Sequence, residues 1–145
     1  MLRNKKGFTL IELLVVISLV GILSVMGLGN YKGSQKRARD VNRQSDLNQY
    51  RVALENYSSN NQGTYPASKD SLIPDYLPSR LSPNGGGAYT YYTNNSEYIL
   101  ITCTELNNKI YKICSNGKSG MTTTACLIGT NDTGGISGFD NCAGL

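Results

Sequence analysis

One acidic side chain, Glu12, is out of place in its surroundings. It lies four residues into an apolar run that extends from Phe8 to Gly29, and an acidic residue near a bilayer centre costs about 3 kcal/mol on insertion scales. One interpretation places its carboxylate near the membrane interface, within reach of the headgroups. The other gives it a cationic partner inside the apolar layer. Cleavage of the Gly7-Phe8 bond would create such a cation, because the new amino terminus would lie four residues before Glu12.

Four cysteines form a second group with chemistry of its own. Ten, eleven and fifteen residues separate successive members, so no C-x-x-C pair occurs, and the chain has no His. A metal site is therefore not indicated, and we expect two disulfides in an oxidising compartment. Each such bond contributes about 3 kcal/mol in the chain-entropy model. The spacing leaves all three pairings open among Cys103, Cys114, Cys126 and Cys142.

The elements that must position these residues divide the chain in two. The run from Phe8 to Gly29 predicts a helix of about 33 Å that is apolar on every face, long enough for the hydrocarbon core of a bilayer. After Asn30 the sequence becomes charged but keeps apolar side chains at three- and four-residue spacing. This pattern predicts an amphipathic continuation of the helix to about Ser58, and it is carried by Val41, Leu47, Tyr50, Leu54 and Tyr57.

The residues after this helix are expected to form a small polar head. Three candidate strands, 89–93, 97–104 and 109–115, are rich in Tyr, Ile and Thr, which predicts an antiparallel meander. A tight turn at Asn107-Asn108 would put Cys103 and Cys114 on one face with a diagonal offset, so a bond between them is one of the open pairings. From Met121 we expect a stapled loop with one short strand. The predicted fold class is α+β, with a long amino-terminal helix packed on a small antiparallel sheet and disulfide-stapled carboxyl-terminal loops.

Composition excludes several classes of function. Without His the chain lacks the commonest general base, and no nucleophile and base constellation is recognisable, so an enzyme is not expected. The net charge of +4 arises mainly from the first six residues and from a band after the apolar run, so nucleic-acid binding is not indicated by charge alone.

Two sets of side chains leave a binding role open. Four tyrosines could stack on sugars or single-stranded DNA, although such residues more often cover a sheet; they are Tyr89, Tyr91, Tyr92 and Tyr98. Four cations could contact DNA or anionic headgroups, or form a solvated or inter-subunit face; they are Lys36, Arg37, Arg39 and Arg43.

The first residues also resemble a known family. The stretch Lys5-Lys6-Gly7-Phe8-Thr9-Leu10-Ile11-Glu12-Leu13 is a basic leader ending in Gly, followed by the start of the apolar helix. It is similar to the class III signal of type IV prepilins and type II secretion pseudopilins. The resemblance is dense over about the first 30 residues and weak from there to about residue 66. Gly29 stands where many family members have Pro.

The resemblance implies how the chain is processed and assembled. A membrane aspartyl prepilin peptidase would cleave after Gly7 and methylate the new amine of Phe8. In the filament, Glu12 would neutralise the amino terminus of a neighbouring subunit and set its register. The implied partners are further copies of the chain in a helical filament, an assembly platform and its ATPase, and the membrane before assembly. No cofactor is implied, and a nucleic-acid partner has no support beyond the cations.

The expected function is therefore that of a type IV pilin subunit in a filament for adhesion, twitching motility or DNA uptake. The leader would be residues 1–7, the membrane and filament-core helix 8–29, its amphipathic continuation 30–58 and the head 59–145. The precursor would cross the cytoplasmic membrane once with its head outside, before joining an extracellular pilus or a periplasmic pseudopilus.

Other functions stay open at this stage. One alternative is that the same processing yields a minor pilin or a type II secretion pseudopilin. A further alternative is a secreted or anchored module that binds glycans or DNA. In that case the apolar run would be a secretory signal cut after Gly27 or Gly29, or a permanent anchor.

Calcium is a weaker expectation. Some major pseudopilins bind calcium in a carboxyl-terminal loop, and Asp132 and Asp140, with Asn131 and Asn141, offer oxygen ligands there. No EF-hand spacing is present, and the alternative is that these are solvated turn residues.

Overall fold

Two helices precede the sheet. The computed structural model describes residues 7–28, 31–126 and 142. Helix α1 spans Leu10–Leu28 and helix α2 spans Tyr31–Asn60. The chain divides into two compact units, Met1–Gln35 and Lys36–Leu145.

Helix α1 exposes apolar side chains all around its axis. From Leu10 to Val25 its large apolar side chains are between 49% and 89% exposed. The hydroxyls of Ser18 and Ser24 donate to the carbonyls one turn earlier, at 2.8 and 2.7 Å, so these polar groups are satisfied within the helix. Among the described residues, no helix combines the length and the apolar character needed to cross a membrane.

Helix α2 packs one face on the sheet. Leu47, Tyr50 and Leu54 are fully buried at three- and four-residue spacing, as the sequence pattern predicts. Val41 is the exception, since 57% of its surface is exposed. The helix ends at Asn60, and the N–H of Gly63, which has a φ of +81°, donates to the carbonyl of Ser58. A left-handed glycine of this kind is a frequent way to end a helix.

The sheet is a four-stranded antiparallel meander. Its strands are β1 (Thr90–Thr93), β2 (Tyr98–Cys103), β3 (Lys109–Cys114) and β4 (Ser119–Ala125), in the order β1-β2-β3-β4. Strand β4 is the one short strand expected near the stapled loop, and it begins at Ser119, two residues before the segment in which the sequence placed it. With helix α2 on one face of this sheet and two disulfides on its carboxyl-terminal side, the predicted α+β class is confirmed.

Alternate side chains of β2 and β3 pack into two separate hydrophobic cores on opposite faces of the sheet. Tyr98, Leu100 and Ile113 pack in the larger core with the buried side chains of α2. Ile99, Ile101 and Ile110 face the other way and pack with Cys114 and Cys126. Because side chains of a strand alternate between faces, β2 can be buried on both sides of the sheet. The second core is small, and the disulfides form part of it.

The structure resolves the disulfide pairing as Cys103–Cys126 and Cys114–Cys142. Of the pairings that the sequence left open, the bond between Cys103 and Cys114 is therefore not the one that forms. The loop between β2 and β3 contains four residues rather than two, since the Thr104 N–H donates to the Lys109 carbonyl at 2.8 Å. Cys103 lies opposite Ile110, and Cys114 lies opposite Ile99. The two cysteines do share a face, but four residues of strand, about 13 Å, separate them.

Arg43 ties helix α2 to two loops. One of its terminal nitrogens donates to the Cys103 carbonyl at 2.9 Å, and the other donates to the carbonyls of Asn84 and Gly86 at 3.0 Å. The residue is 1% exposed. Its Nε is the one buried side-chain nitrogen or oxygen atom that has no hydrogen-bond partner among the described residues. Arg43 is therefore a buried structural residue and not one of the surface cations with which the sequence grouped it.

Two carboxylates complete the charge balance around Arg43. Glu105 accepts from Arg43 at 2.5 Å and from Arg39 at 2.6 Å, and these partners, first the hydrogen bond from Arg39, hold the pKa of Glu105 below its usual value. Asp40 accepts the backbone N–H groups of Glu105 and Leu106, at 2.7 and 2.9 Å. We call Arg39, Asp40, Arg43 and Glu105 the Arg43 cluster.

Replacement of Gly85 by Ala is expected to destabilise the head by disturbing this cluster. A Cβ atom at Gly85 would lie 2.7 Å from Glu105 Oε1 and 2.8 Å from Arg39 Cδ, and the residue has a φ of +84°. Gly86 is the matched control, because its φ is +91° but nothing lies within 4 Å of the added atom. Both variants carry the backbone strain of about 1 kcal/mol, and only Gly85→Ala adds the clash.

The midpoint of thermal unfolding measures this difference. We expect a lower midpoint for Gly85→Ala than for Gly86→Ala. Equal midpoints would show that the ion pair of Arg39 and Glu105 moves aside without cost.

Two buried tyrosines connect α2 to the sheet region through acidic side chains. The Tyr89 hydroxyl donates to Asp46 at 2.5 Å, and the Tyr98 hydroxyl donates to Glu55 at 2.9 Å. Burial, and then the neighbouring carboxylate, raises the pKa of both phenols well above the usual value. These phenols therefore stay protonated, as donors to the acidic residues of α2.

Candidate functional site

The segment around the Gly7-Phe8 bond lies outside the helix and is exposed. Gly7, Phe8 and Thr9 are outside any helix, and helix α1 begins at Leu10. The Phe8 side chain is 84% exposed, and nothing lies within 4 Å of a Cβ atom built on Gly7. The predicted cleavage bond is thus an open stretch of backbone immediately before a helix.

Thr9 caps the start of helix α1. Its side-chain Oγ1 accepts the backbone N–H of Glu12 at 3.3 Å, and its carbonyl accepts the N–H of Leu13 at 3.3 Å. This is the arrangement of an N-cap threonine, which satisfies one of the free N–H groups of the first turn. The cap fixes the first helical residue two positions after the Gly7-Phe8 bond.

Glu12 lies in the first turn of α1 with an exposed side chain. An acidic residue there is favoured by the partial positive charge of the helix amino terminus. Its neighbours Ile11 and Leu13 are 72% and 58% exposed. Ile11 and Leu13 lie on nearly opposite sides of the helix, so partners packed on both sides would also enclose the carboxylate, which would then need a cation close by.

Several of the tyrosines and cations that the sequence offered as binding residues are buried in the structure. Tyr89 and Tyr98 are 3% and 0% exposed, so neither can stack on a sugar or a base, and both cover the sheet. Tyr92 is 39% exposed. Of the four cations, Lys36 and Arg37 are exposed, whereas Arg39 and Arg43 belong to the Arg43 cluster.

The candidate calcium ligands Asp132 and Asp140 lie outside the described residues. Over residues 7–28, 31–126 and 142, no group of three or more His, Cys, Asp or Glu side chains is placed to hold a metal ion.

The Gly7-Phe8 bond, the cap at Thr9 and the carboxylate of Glu12 all lie in one short amino-terminal segment. Residues 2–28 match the model of the prokaryotic N-terminal methylation motif. The match includes Gly7, Phe8 and Glu12, so the resemblance drawn from these residues is confirmed.

Curated relatives extend this similarity into the head. The chain is 39% identical over 72 residues to the type IV wide pilus major component of Thermus thermophilus, which covers 50% of this chain and 54% of that protein. It is 33% identical over 90 residues to type II secretion system core protein G of Aeromonas hydrophila, covering 59% and 62%. A fimbrial protein of Neisseria meningitidis is 32% identical over 98 residues, covering 63% and 58%. The chain therefore matches less than two thirds of the length of each of these pilus, fimbrial and secretion proteins.

Sequence reasoning missed two arrangements. The cap at Thr9 has a recognisable signal, since Thr followed three residues later by Glu before an apolar run is the capping-box pattern. The Arg43 cluster has no local signal, because Arg43 and Glu105 are 62 residues apart in the chain.

Proposed function

We propose that this chain is a type IV pilin subunit. Its apolar run, residues 8–29 of the sequence, holds the precursor in the cytoplasmic membrane with its head outside, although helix α1 as described does not by itself combine the length and apolar character of a membrane span. A prepilin peptidase cuts after Gly7 and methylates Phe8. The subunits then polymerise into an extracellular helical filament. The observation that carries the proposal is helix α1, which is apolar and exposed on every side but has one carboxylate, Glu12, in its first turn.

A helix with such a surface requires an apolar environment. Covering each exposed Leu, Ile or Val side chain is worth about 1.5–3 kcal/mol. Lipid supplies this cover in the precursor, and after extraction from lipid the only equivalent cover is a bundle of the same helices from other subunits. The internally bonded Ser18 and Ser24 hydroxyls suit both environments, since neither needs water.

Glu12 then acts as a register signal. In a bundle of α1 helices its carboxylate would be enclosed, and the methylated amine of Phe8 from a neighbouring subunit is a cation that can pair with it. A subunit in the wrong register would leave both charges buried without a partner, which costs more than the pair itself. The assembly platform and its ATPase would supply the work of extraction.

The disulfides and the Arg43 cluster suit a head displayed outside the cell. Disulfides persist in oxidising compartments, and they stabilise a head whose second core is small. The filament would serve adhesion, twitching motility or DNA uptake, with the heads as its outer surface.

A second candidate function is that of a type II secretion pseudopilin. It is favoured by the relatives named core protein G, one of which is similar to 59% of this chain. A pseudopilin shares the processing and the Glu12 role, but its filament stays in the periplasm.

Mass spectrometry of surface-sheared material tests the proposal. We expect the main species to begin at a methylated Phe8 and to be lighter than the reduced form of the same processed chain by four hydrogen atoms, because two disulfides form. A pilin would dominate the sheared fraction, whereas a pseudopilin with the same amino terminus would remain with the cell envelope. An amino terminus near residue 30, or an uncut Met1, would contradict prepilin processing and favour a secreted or anchored module.

A further inference from the structure

We propose that Thr9 is a positioning residue for cleavage, which keeps the Gly7-Phe8 bond outside the helix for the peptidase. The inference rests on the processing proposed above and adds a residue that is neither the cleavage bond nor the assembly carboxylate. The observation behind it is the double hydrogen bond of Thr9 to the first turn of α1.

The geometry places the start of the helix close to the bond that must be cut. Thr9 Oγ1 accepts the Glu12 N–H and the Thr9 carbonyl accepts the Leu13 N–H, both at 3.3 Å. These bonds make Thr9 the last non-helical residue. Only Phe8 and Thr9 separate the carbonyl of the cleavage bond, that of Gly7, from the first residue of the helix.

A peptide bond inside a helix is a poor substrate for hydrolysis. Its carbonyl accepts the N–H four residues later, and the helical turn covers it on one side. In a helix that included Gly7, that carbonyl would accept the N–H of Ile11. An extended backbone leaves the carbonyl open to an attacking water and to the acid that protonates the leaving amine. The cap therefore excludes a helix that would protect the bond.

The residues before Thr9 show what would happen without its hydroxyl. The next upstream residues that favour the N-cap position are Gly7 and Asn4. A helix that started at either one would draw Phe8 into its first turn. Removal of a Thr cap shifts such a helix-start equilibrium by about five-fold.

The test is the cleavage rate of the full-length precursor in membranes supplied with a prepilin peptidase. Thr9→Val keeps the shape of the side chain but removes the acceptor, whereas Thr9→Ser and Thr9→Asn keep an acceptor with different shapes. We expect Thr9→Val to be cut more slowly, by up to about five-fold, and the other two variants to be cut at nearly the native rate. Amide hydrogen exchange at Ile11 should slow in Thr9→Val alone, because in the extended helix its N–H would donate to the Gly7 carbonyl.

The relative cleavage rates of the three variants distinguish helix capping from direct recognition of the Thr9 side chain by the peptidase. Native-like cleavage of Thr9→Val would overturn the inference. The inference would also be overturned if Thr9→Asn were cut slowly while Thr9→Val was cut fast. That result would show that the peptidase recognises the shape of the side chain and not the cap. A native precursor that is not cut after Gly7 would overturn the proposed processing, and this inference with it.

Discussion

Replacement of Arg43 by Met is expected to lower the free energy of unfolding of the head by about 3–5 kcal/mol, the cost of breaking a buried ion pair by removing one partner. Arg43 is 1% exposed, and its guanidinium donates to three backbone carbonyls and to Glu105. Met can fill part of the volume but supplies no donor. Because whole domains are stable by only about 5–15 kcal/mol, this is a large fraction of the total.

The loss arises where the loops meet the helix. The carbonyls of Asn84, Gly86 and Cys103 would lose their charged donor. Glu105 would keep only Arg39, which is the more exposed of its two partners. Lys at position 43 should restore little, since its ammonium cannot reproduce the planar fork that reaches both loops.

Urea unfolding of the full chain in detergent, followed by circular dichroism, measures this effect. Arg37→Met is the matched control, because Arg37 is an exposed cation of the same helix and forms no ion pair within the described residues. We expect the control to change the free energy of unfolding by less than about 0.5 kcal/mol. An Arg43→Met change as small as that of the control would show that the cluster does not stabilise the head.

Replacement of Glu12 by Gln is expected to reduce surface filaments by at least about ten-fold while cleavage after Gly7 continues. Gln has nearly the same size and also tolerates the first turn of a helix, so only the charge is lost. If Glu12 pairs with the amine of a neighbouring Phe8, that amine would be buried without a counter-charge in the variant. An uncompensated buried charge costs about 3–5 kcal/mol, which exceeds the 1.4 kcal/mol that corresponds to ten-fold.

The measurement is the amount of the chain in sheared filaments relative to the processed chain in the membrane. Ser18→Ala is a suitable control on the same exposed helix, because the Ser18 hydroxyl is already bonded to the Leu14 carbonyl. We expect normal filaments from Ser18→Ala, and from Glu12→Ala the same loss as from Glu12→Gln. Undiminished filaments from both Glu12 variants would rule out the register role of the carboxylate.

Local sequence patterns correctly predicted the buried face of α2 and the positions of three strands. The helical spacing of Leu47, Tyr50 and Leu54 identified the face of α2 that packs on the sheet. The Tyr-, Ile- and Thr-rich runs identified β1, β2 and β3 to within one or two residues at each end. These features were predictable because side-chain periodicity reflects which face of an element is buried.

Local sequence patterns do not determine the disulfide pairing. The cysteine count and the absence of His predicted two disulfides, but the pairing depends on the length of the β2–β3 loop. That loop is four residues long because the Thr104 side chain and backbone both bond to Lys109. The two additional loop residues leave Cys114 opposite Ile99, out of reach of Cys103.

The sequence by itself determined the amino-terminal motif of this protein. Gly7, Phe8, Thr9 and Glu12 lie within six residues of one another, so their relationship depends on one helix start and on no distant contact. The tertiary structure alone decided the role of Arg43, which the sequence placed among surface cations. Apart from Asp40, one turn earlier in α2, its acceptors lie 41 to 62 residues away in the chain. A charge can be buried only where such distant groups converge on it, and that convergence is a property of the fold.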